Sequence, residues 1–243
     1  MDQYICLTAT YGDLLHDPGP YRCLVGRLIY LTIIRLDILY SVHIPTQFMH
    51  SPRQRHYMAA LHVLQYLIGT LSFGLLLPSN SLLQLIAHCD SDWATCPMTR
   101  RSITDYFNSL DAYPLSWKIK KQPIISRSST EAEYRAMAVA TYELVWLKAL
   151  LQDLGVPHPH PMCLYCVNHV AVHITANLVF HERTKHIELD CHRIQEKIYP
   201  GILKTSHVST KHQVTDIITK ALSHEQFQFL RNKLAVTDLH API

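Results

Sequence analysis

Residues 126–155 read "SRSSTEAEYRAMAVATYELVWLKALLQDLG", and the stretch predicts one long helix. Ala132, Ala136, Ala140, Leu144, Leu147, Leu151 and Leu154 recur at three- and four-residue spacing and so form one apolar stripe. Ser128-Ser129-Thr130-Glu131 has the S-x-x-E form of a capping box, with Ser128 at the N-cap and Glu131 at N3. Gly155 supplies the C-terminal stop. Helix chemistry therefore accounts for Glu131. Glu133 has no such duty and lies about 200° round the helix from Glu131, at about 100° per residue, which makes it a candidate site residue.

The flanking segments have a different period. "LLQLIAHC" (82–89) predicts a strand ending at Asp90, and "RSITDYFNS" (101–109) and "AYPLSWK" (112–118) predict two more, joined near Asp111. Downstream, "MCLYCVN" (162–168) is a short apolar run after "PHPHP", so it predicts a buried strand over 162–167. A helix is expected from Asn168 to Asn177, and another in the second half of "HERTKHIELDCHRIQEKI" (181–198). "ILKTSHVS" (202–209) predicts a last strand and "QVTDIITKAL" (213–222) a last short helix. Strands alternating with helices in this order give an α/β unit. Residues 20–70 carry apolar residues at helical spacing, with Pro45 and Pro52 breaking the pattern and Gly69 closing it. The turn-rich "LSFGLLLPSNS" (71–81) is the expected join between the two regions.

Composition narrows the class. The 243 residues suit one large domain or two small ones, and 48% hydrophobic with 17% charged residues is a globular balance. A net charge of +3 permits nucleic-acid binding without arguing for it. No apolar run reaches the roughly 18–20 residues of a membrane span. The first twenty residues lack the basic and apolar regions of a signal peptide, so an intracellular protein is expected, not a secreted one. Seven cysteines at irregular spacing read as reduced thiols. Cys163-x-x-Cys166 with His169 and His173 does not read as a zinc site: a finger needs about 12 residues between its ligand pairs, and two cysteines three apart on a strand face opposite ways.

Three acids stand where chemistry can use them: Asp90 at a strand tip, Glu133 in the first turns of the long helix, and Asp216 opening the last helix. Asp92 follows Asp90 but is expected beyond the strand. Carboxylates gathered from one strand end and two helix starts outline a magnesium site, since magnesium takes oxygen ligands and keeps several waters. Two such ions about 3.5–4 Å apart activate a water and stabilise a leaving oxygen in phosphodiester hydrolysis. The fourth acid of such a set is expected from the strand at 162–167, whose tip is Val167.

These motifs resemble the C-terminal part of the Pol polyprotein of copia-type LTR retrotransposons. The resemblance rests on "YRCLVGRLIYLT", "TQFMHSP", "LQYLIGT", "CDSDWA", "RSSTEAEYRAMA", "RTKHIELDCH" and "TDIITKAL", from about Tyr21 to Leu222. It implies a helical reverse-transcriptase thumb or connection remnant over 1–78. An RNase H-like α/β domain follows over 79–223, a mixed five-stranded sheet with flanking helices, and then a C-terminal helix or tail over 224–243. The family's D-E-D-D metal-ligand set carries over to Asp90, Glu133 and Asp216, with the third aspartate of "L-W-C-D-N" replaced by Val167 in "LYCVN". All four positions are expected to converge at one end of the sheet. Leu36, Asp105, Thr215 and Ala221 are further departures from the family's usual residues.

The resemblance implies magnesium-dependent hydrolysis of RNA in RNA–DNA hybrids, with the rest of a Pol polyprotein as partner, no small-molecule cofactor, and a cytoplasmic virus-like particle as location. Arg100, Arg101, Lys118, Lys120, Lys121 and Arg127 are candidate contacts to the phosphate backbone. Trp117 reads as core. The polymerase signature of an apolar strand with paired aspartates (Y-x-D-D) is absent, so the chain is not by itself a reverse transcriptase. The alternative reading is a non-enzymatic remnant of the same fold that at most binds nucleic acid. Val167 is the residue that separates the two.

Overall fold

In the computed structural model, which describes residues 7–77, 83–96, 99–176 and 188–240, the long helix runs over Ser129–Asp153. Ser128 Oγ accepts the Glu131 N–H at 3.1 Å, and Glu131 Oε2 accepts the Arg127 N–H at 2.9 Å, so the capping exchange forms one residue wider than the ideal box. In chain order the elements are α1 (Gly19–Leu31), α2 (Leu39–Thr46), α3 (Gln54–Ile68), β1 (Phe73–Leu75), β2 (Leu85–Asp92), β3 (Ile103–Leu110), β4 (Tyr113–Lys121), α4 (Ser129–Asp153), β5 (Met162–Cys166), α5 (His169–Ala176), α6 (Glu188–Ile198), β6 (Leu203–His207), α7 (Asp216–Thr219), α8 (His224–Lys233) and β7 (Val236–Asp238).

These elements form two compact units, Pro78–Thr215 and a second made of Met1–Leu77 with Asp216–Ile243. The division passes between Thr215 and Asp216, upstream of the expected boundary at 223. The cause is α7, whose Ile217 and Ile218 are buried and which packs on α2.

The unit over 78–215 is built on a mixed five-stranded sheet in the order β4-β3-β2-β5-β6. The β4–β3 and β3–β2 ladders are antiparallel, whereas β5 is parallel to both β2 and β6. Each parallel pair needs a helical crossover, supplied by α4 in one case and by α5 and α6 in the other. Leu85, Ala87 and Cys89 of β2 and Met162, Leu164 and Cys166 of β5 point into one core with Tyr134, Met137, Ala140 and Leu144 of α4. The tight β3–β4 turn places Asp111 at φ +52°, and its carboxylate accepts the N–H groups of Leu83 and Gln84 at 3.0 and 3.2 Å.

The second unit is helical. Tyr21, Val25 and Leu28 of α1, Val42 of α2, and Ala60, Val63 and Leu67 of α3 share a core, and the Tyr21 hydroxyl donates to the Pro45 carbonyl at 2.6 Å. Pro45 sits inside α2, one residue from its end, so it closes that helix rather than preventing it. Arg35 donates to both carboxylate oxygens of Asp37, at 2.9 and 2.7 Å, and both side chains are buried.

Three sequence expectations shift. β2 continues through Asp92 instead of ending at Asp90. The last short helix covers only Asp216–Thr219, and Gln213–Thr215 are buried ahead of it, Val214 and Thr215 in a turn. Phe73–Leu75, read as part of the join, is a strand paired with Val236–Asp238. Trp117 is half-buried on β4. Asn177 and residues 177–187, where one helix end and part of the "RTKHIELDCH" motif fall, lie outside the described residues.

Candidate functional site

β2 and α4 bring Asp90 and Glu133 together. Both are buried, at 3% and 6% exposure, and their side chains share a hydrogen bond. α4 is held against the sheet at this point by Gln122. Its Nε2 donates to Thr104 Oγ1 of β3 at 2.8 Å and to the Ala132 carbonyl at 3.0 Å, and lies 3.3 Å from Ser91 Oγ of β2. Ser126 Oγ donates to Gln122 Oε1 at 2.7 Å, closing a buried polar network directly under Glu133.

The floor of the site is a thiol pair. Cys89 and Cys166 are lateral partners in the parallel β2–β5 ladder, and both are fully buried. Cys166 Sγ donates to Glu133 Oε2 at 3.6 Å. The hydrogen bond with Cys166, then burial, pushes the Cys89 thiol well above its ordinary value. Burial, then negative charge at Cys166 and Asp90, pushes the Glu133 carboxyl up to about 11. A buried carboxyl pair with too few compensating donors keeps a proton instead of two charges.

Asp105 also belongs to this neighbourhood. It is the antiparallel partner of Asp90 across β2–β3, is fully buried, and its charge contributes to the rise at Glu133. Sequence reasoning registered Asp105 only as a departure from a motif. Its signal is the strand register, which no periodicity within β3 reveals. The Cys89–Cys166 pair was missed for the same reason.

Val167 directly follows β5 and is half-buried. Asn168 does not take over a ligand role: its Oδ1 accepts the Ala171 N–H at 3.0 Å, which caps α5. Asp216 opens the second segment of the other unit, where its Oδ1 accepts from Lys220 Nζ at 2.7 Å. Of the four expected positions, then, Asp90 and Glu133 are in contact, and Val167 follows the strand beside β2.

Among the described residues, no three His, Cys, Asp or Glu side chains converge as a metal-holding group. Within the Pro78–Thr215 unit the donors at hand are the Asp90, Glu133 and Asp105 carboxyl groups, the first two hydrogen-bonded to each other, and the Cys166 thiol, whereas magnesium selects oxygen ligands in octahedral geometry. The residues present do not fit a two-magnesium centre.

Lys118 and Lys120 occupy alternate positions on β4 and project from one face, Lys121 from the other, and all three are exposed. Arg100, Arg101 and Arg127 are exposed as well.

No family model matches the chain. Two relatives from Arabidopsis thaliana do. The retrovirus-related Pol polyprotein from transposon RE2 is 43% identical over 230 residues, covering 95% of this chain and 16% of the relative. The corresponding polyprotein from transposon RE1 is 42% identical over 226 residues, covering 93% and 15%. The chain belongs to the Pol polyproteins of copia-type retrotransposons. This Pol segment spans about a sixth of the length of the curated relatives it matches. Among solved structures, LC11-RNase H1 in complex with an RNA/DNA hybrid aligns at 14% identity and a TM-score of 0.39, over 54% of this Pol chain and 88% of that one. That likeness is too loose to argue from. The RNase H-like fold class of the Pol segment stands on its own five-stranded mixed sheet and flanking helices.

Proposed function

We propose that this Pol segment carries a ribonuclease H domain, of the class that hydrolyses RNA in RNA–DNA hybrids, whose hydrolytic site is impaired as the chain is written. In this reading 1–78 is the tail of a reverse transcriptase, 79–223 the ribonuclease H region and 224–243 a C-terminal tail. Asp90, Glu133 and Asp216 are the inherited magnesium ligands, and the working place in an intact element is a cytoplasmic particle alongside the rest of Pol. The observation that carries the reading is the position of Val167. The β2–β5 ladder ends on the pair Cys89 and Cys166, and the next residue is Asp90 on β2 and Val167 just after β5. That is where a second strand-borne carboxylate belongs, and a methyl-lined side chain offers a cation nothing.

What this chain's own residues do here follows from their contacts. Glu133 and Asp90 are hydrogen-bonded, Cys166 donates to Glu133, and Gln122 fixes the start of α4. That arrangement keeps Glu133 protonated; it does not hold a cation unaided.

The second reading, a domain that binds hybrid without cutting it, is favoured by the exposed cations Arg100, Arg101, Lys118, Lys120, Lys121 and Arg127, which suit backbone contacts that need no active site. A single experiment separates the readings: RNA cleavage in a labelled RNA–DNA hybrid with magnesium, run beside hybrid binding by the same preparation. The impaired-domain reading expects binding with little cleavage that Val167→Asp raises, and the binding-only reading expects binding with no cleavage by either protein. Robust cleavage by the unmodified chain, abolished by Glu133→Gln, refutes the impairment.

A further inference from the structure

The helical unit contains a cavity of about 630 Å³ that the nuclease reading does not use. Its size falls within the roughly 300–1,000 Å³ range of small-molecule sites. Ile38, Val63 and Ile217 line it, and so do Tyr66 and Phe227, whose rings meet edge to face at 6.1 Å.

The charges around the cavity do not cancel. Asp37 lines it, but its carboxylate is occupied: Arg35 donates to both oxygens, and the Tyr66 hydroxyl donates to Oδ2 at 2.8 Å. Lys220 lines it too and is paired with Asp216 at 2.7 Å. Arg231 is different. It has no carboxylate partner among the described residues, its guanidinium lies 4.5 Å above the Phe73 ring, and its Nε is buried with no hydrogen-bond partner. A further guanidinium donor meets the Tyr66 hydroxyl. Arginine carries five donors in a fixed fork suited to a carboxylate or phosphate, and a buried donor left unmet costs free energy. Arg231 lines the cavity, so the rest of its fork is available to a ligand there.

We propose that this cavity binds a small aromatic oxyanion, with Arg231 holding the charged group and Tyr66 and Phe227 flanking the ring. Phosphate and carboxylate share the recognition chemistry, so phenyl phosphate, benzoate and inorganic phosphate are the probes that distinguish them.

Calorimetric titration of the whole chain is expected to give one saturable site for phenyl phosphate or benzoate, with inorganic phosphate about tenfold weaker because it lacks the ring. Arg231→Gln should weaken the aromatic probe by about tenfold or more, the loss expected of a charge-assisted hydrogen bond. Ser41→Trp, which fills the cavity without touching the charge, should remove binding altogether. Lys204→Gln, exposed on β6 of the other unit, should change nothing. Should Arg231→Gln fail to fold, the unmodified protein decides: phenylglyoxal modification of Arg231, mapped by mass spectrometry, should slow when phenyl phosphate is present. Equal binding of phenyl phosphate and inorganic phosphate, binding indifferent to Ser41→Trp, or no protection of Arg231 overturns the proposal.

Discussion

Asp90 and Val167 each come one residue after the lateral pair of Cys89 and Cys166, Asp90 within β2 and Val167 just past the end of β5. In the proposed reading Val167 holds the lost ligand position. Val167→Asp adds an oxygen donor beside two buried carboxyl groups, and with it the chain should gain magnesium-dependent cleavage of hybrid RNA by well over tenfold. A tenfold gain corresponds to about 1.4 kcal/mol of transition-state stabilisation. Val167→Asn restores near-equal shape without charge and should rescue far less. Equal rescue by both variants, or none by Asp in a protein that melts normally, would mean the valine is not the defect.

Hybrid affinity should fall steeply with salt. Each phosphate that a cation no longer neutralises lowers the slope of log K against log salt by about 0.9 for a duplex like B-DNA. Lys118→Gln with Lys120→Gln removes two neighbouring cations from one face of β4, so filter-binding slopes should flatten by about 2 if both touch backbone. An unchanged slope removes β4 from the binding face.

Parts of this architecture were legible because they are local. Ser128 and Glu131 announce the start of α4, the apolar stripe gives its length, and Asn168 ends β5 and caps α5. Glu133 was separable from Glu131 by its angle on the helix alone. What remained hidden depends on pairing between segments distant in sequence. Asp105 joins Asp90 only through the β2–β3 register, and Cys166 joins Cys89 only through the β2–β5 register. Phe73–Leu75 is too short to signal a strand, and it becomes one by pairing with Val236–Asp238 near the other end of the chain. Gln122 reads as a polar residue after a strand, yet it is buried because three separate elements offer it partners.

Gln122 therefore predicts a stability effect that no pattern in the sequence suggests. Gln122→Leu leaves Ser126 Oγ and the Ala132 carbonyl without their acceptor and donor in a buried setting. Chemical denaturation should show a loss of about 2–3 kcal/mol, the scale of one or two unmet buried polar groups. Ser128→Ala, which removes only the cap, should cost about 1 kcal/mol. A Gln122→Leu effect no larger than that of Ser128→Ala would mean the network does not anchor α4.

Glu133 gives the pH dependence its sign. Its folded-state value of about 11 lies above the ordinary 4.5 because of burial, then the negative charge at Cys166 and Asp90. Between those two values the folded chain holds a proton that the unfolded chain has released. Unfolding free energy changes with pH in proportion to protons bound unfolded minus protons bound folded. For this group the difference is negative, so its contribution is fully present below about pH 4.5 and is lost as pH rises toward 11. The steepest slope one such group can give is about 1.4 kcal/mol per pH unit. Glu133→Gln keeps an acceptor for the Cys166 thiol and carries no charge at any pH, so it should remove this slope. Urea unfolding of both proteins from about pH 6 to 9, inside the window where the two states differ in bound protons, is the measurement, and the difference between the two curves isolates Glu133 from every other titrating group. The variant should gain on the parent steadily as pH rises. Parallel curves would show that Glu133 is ionised in the folded protein at neutral pH.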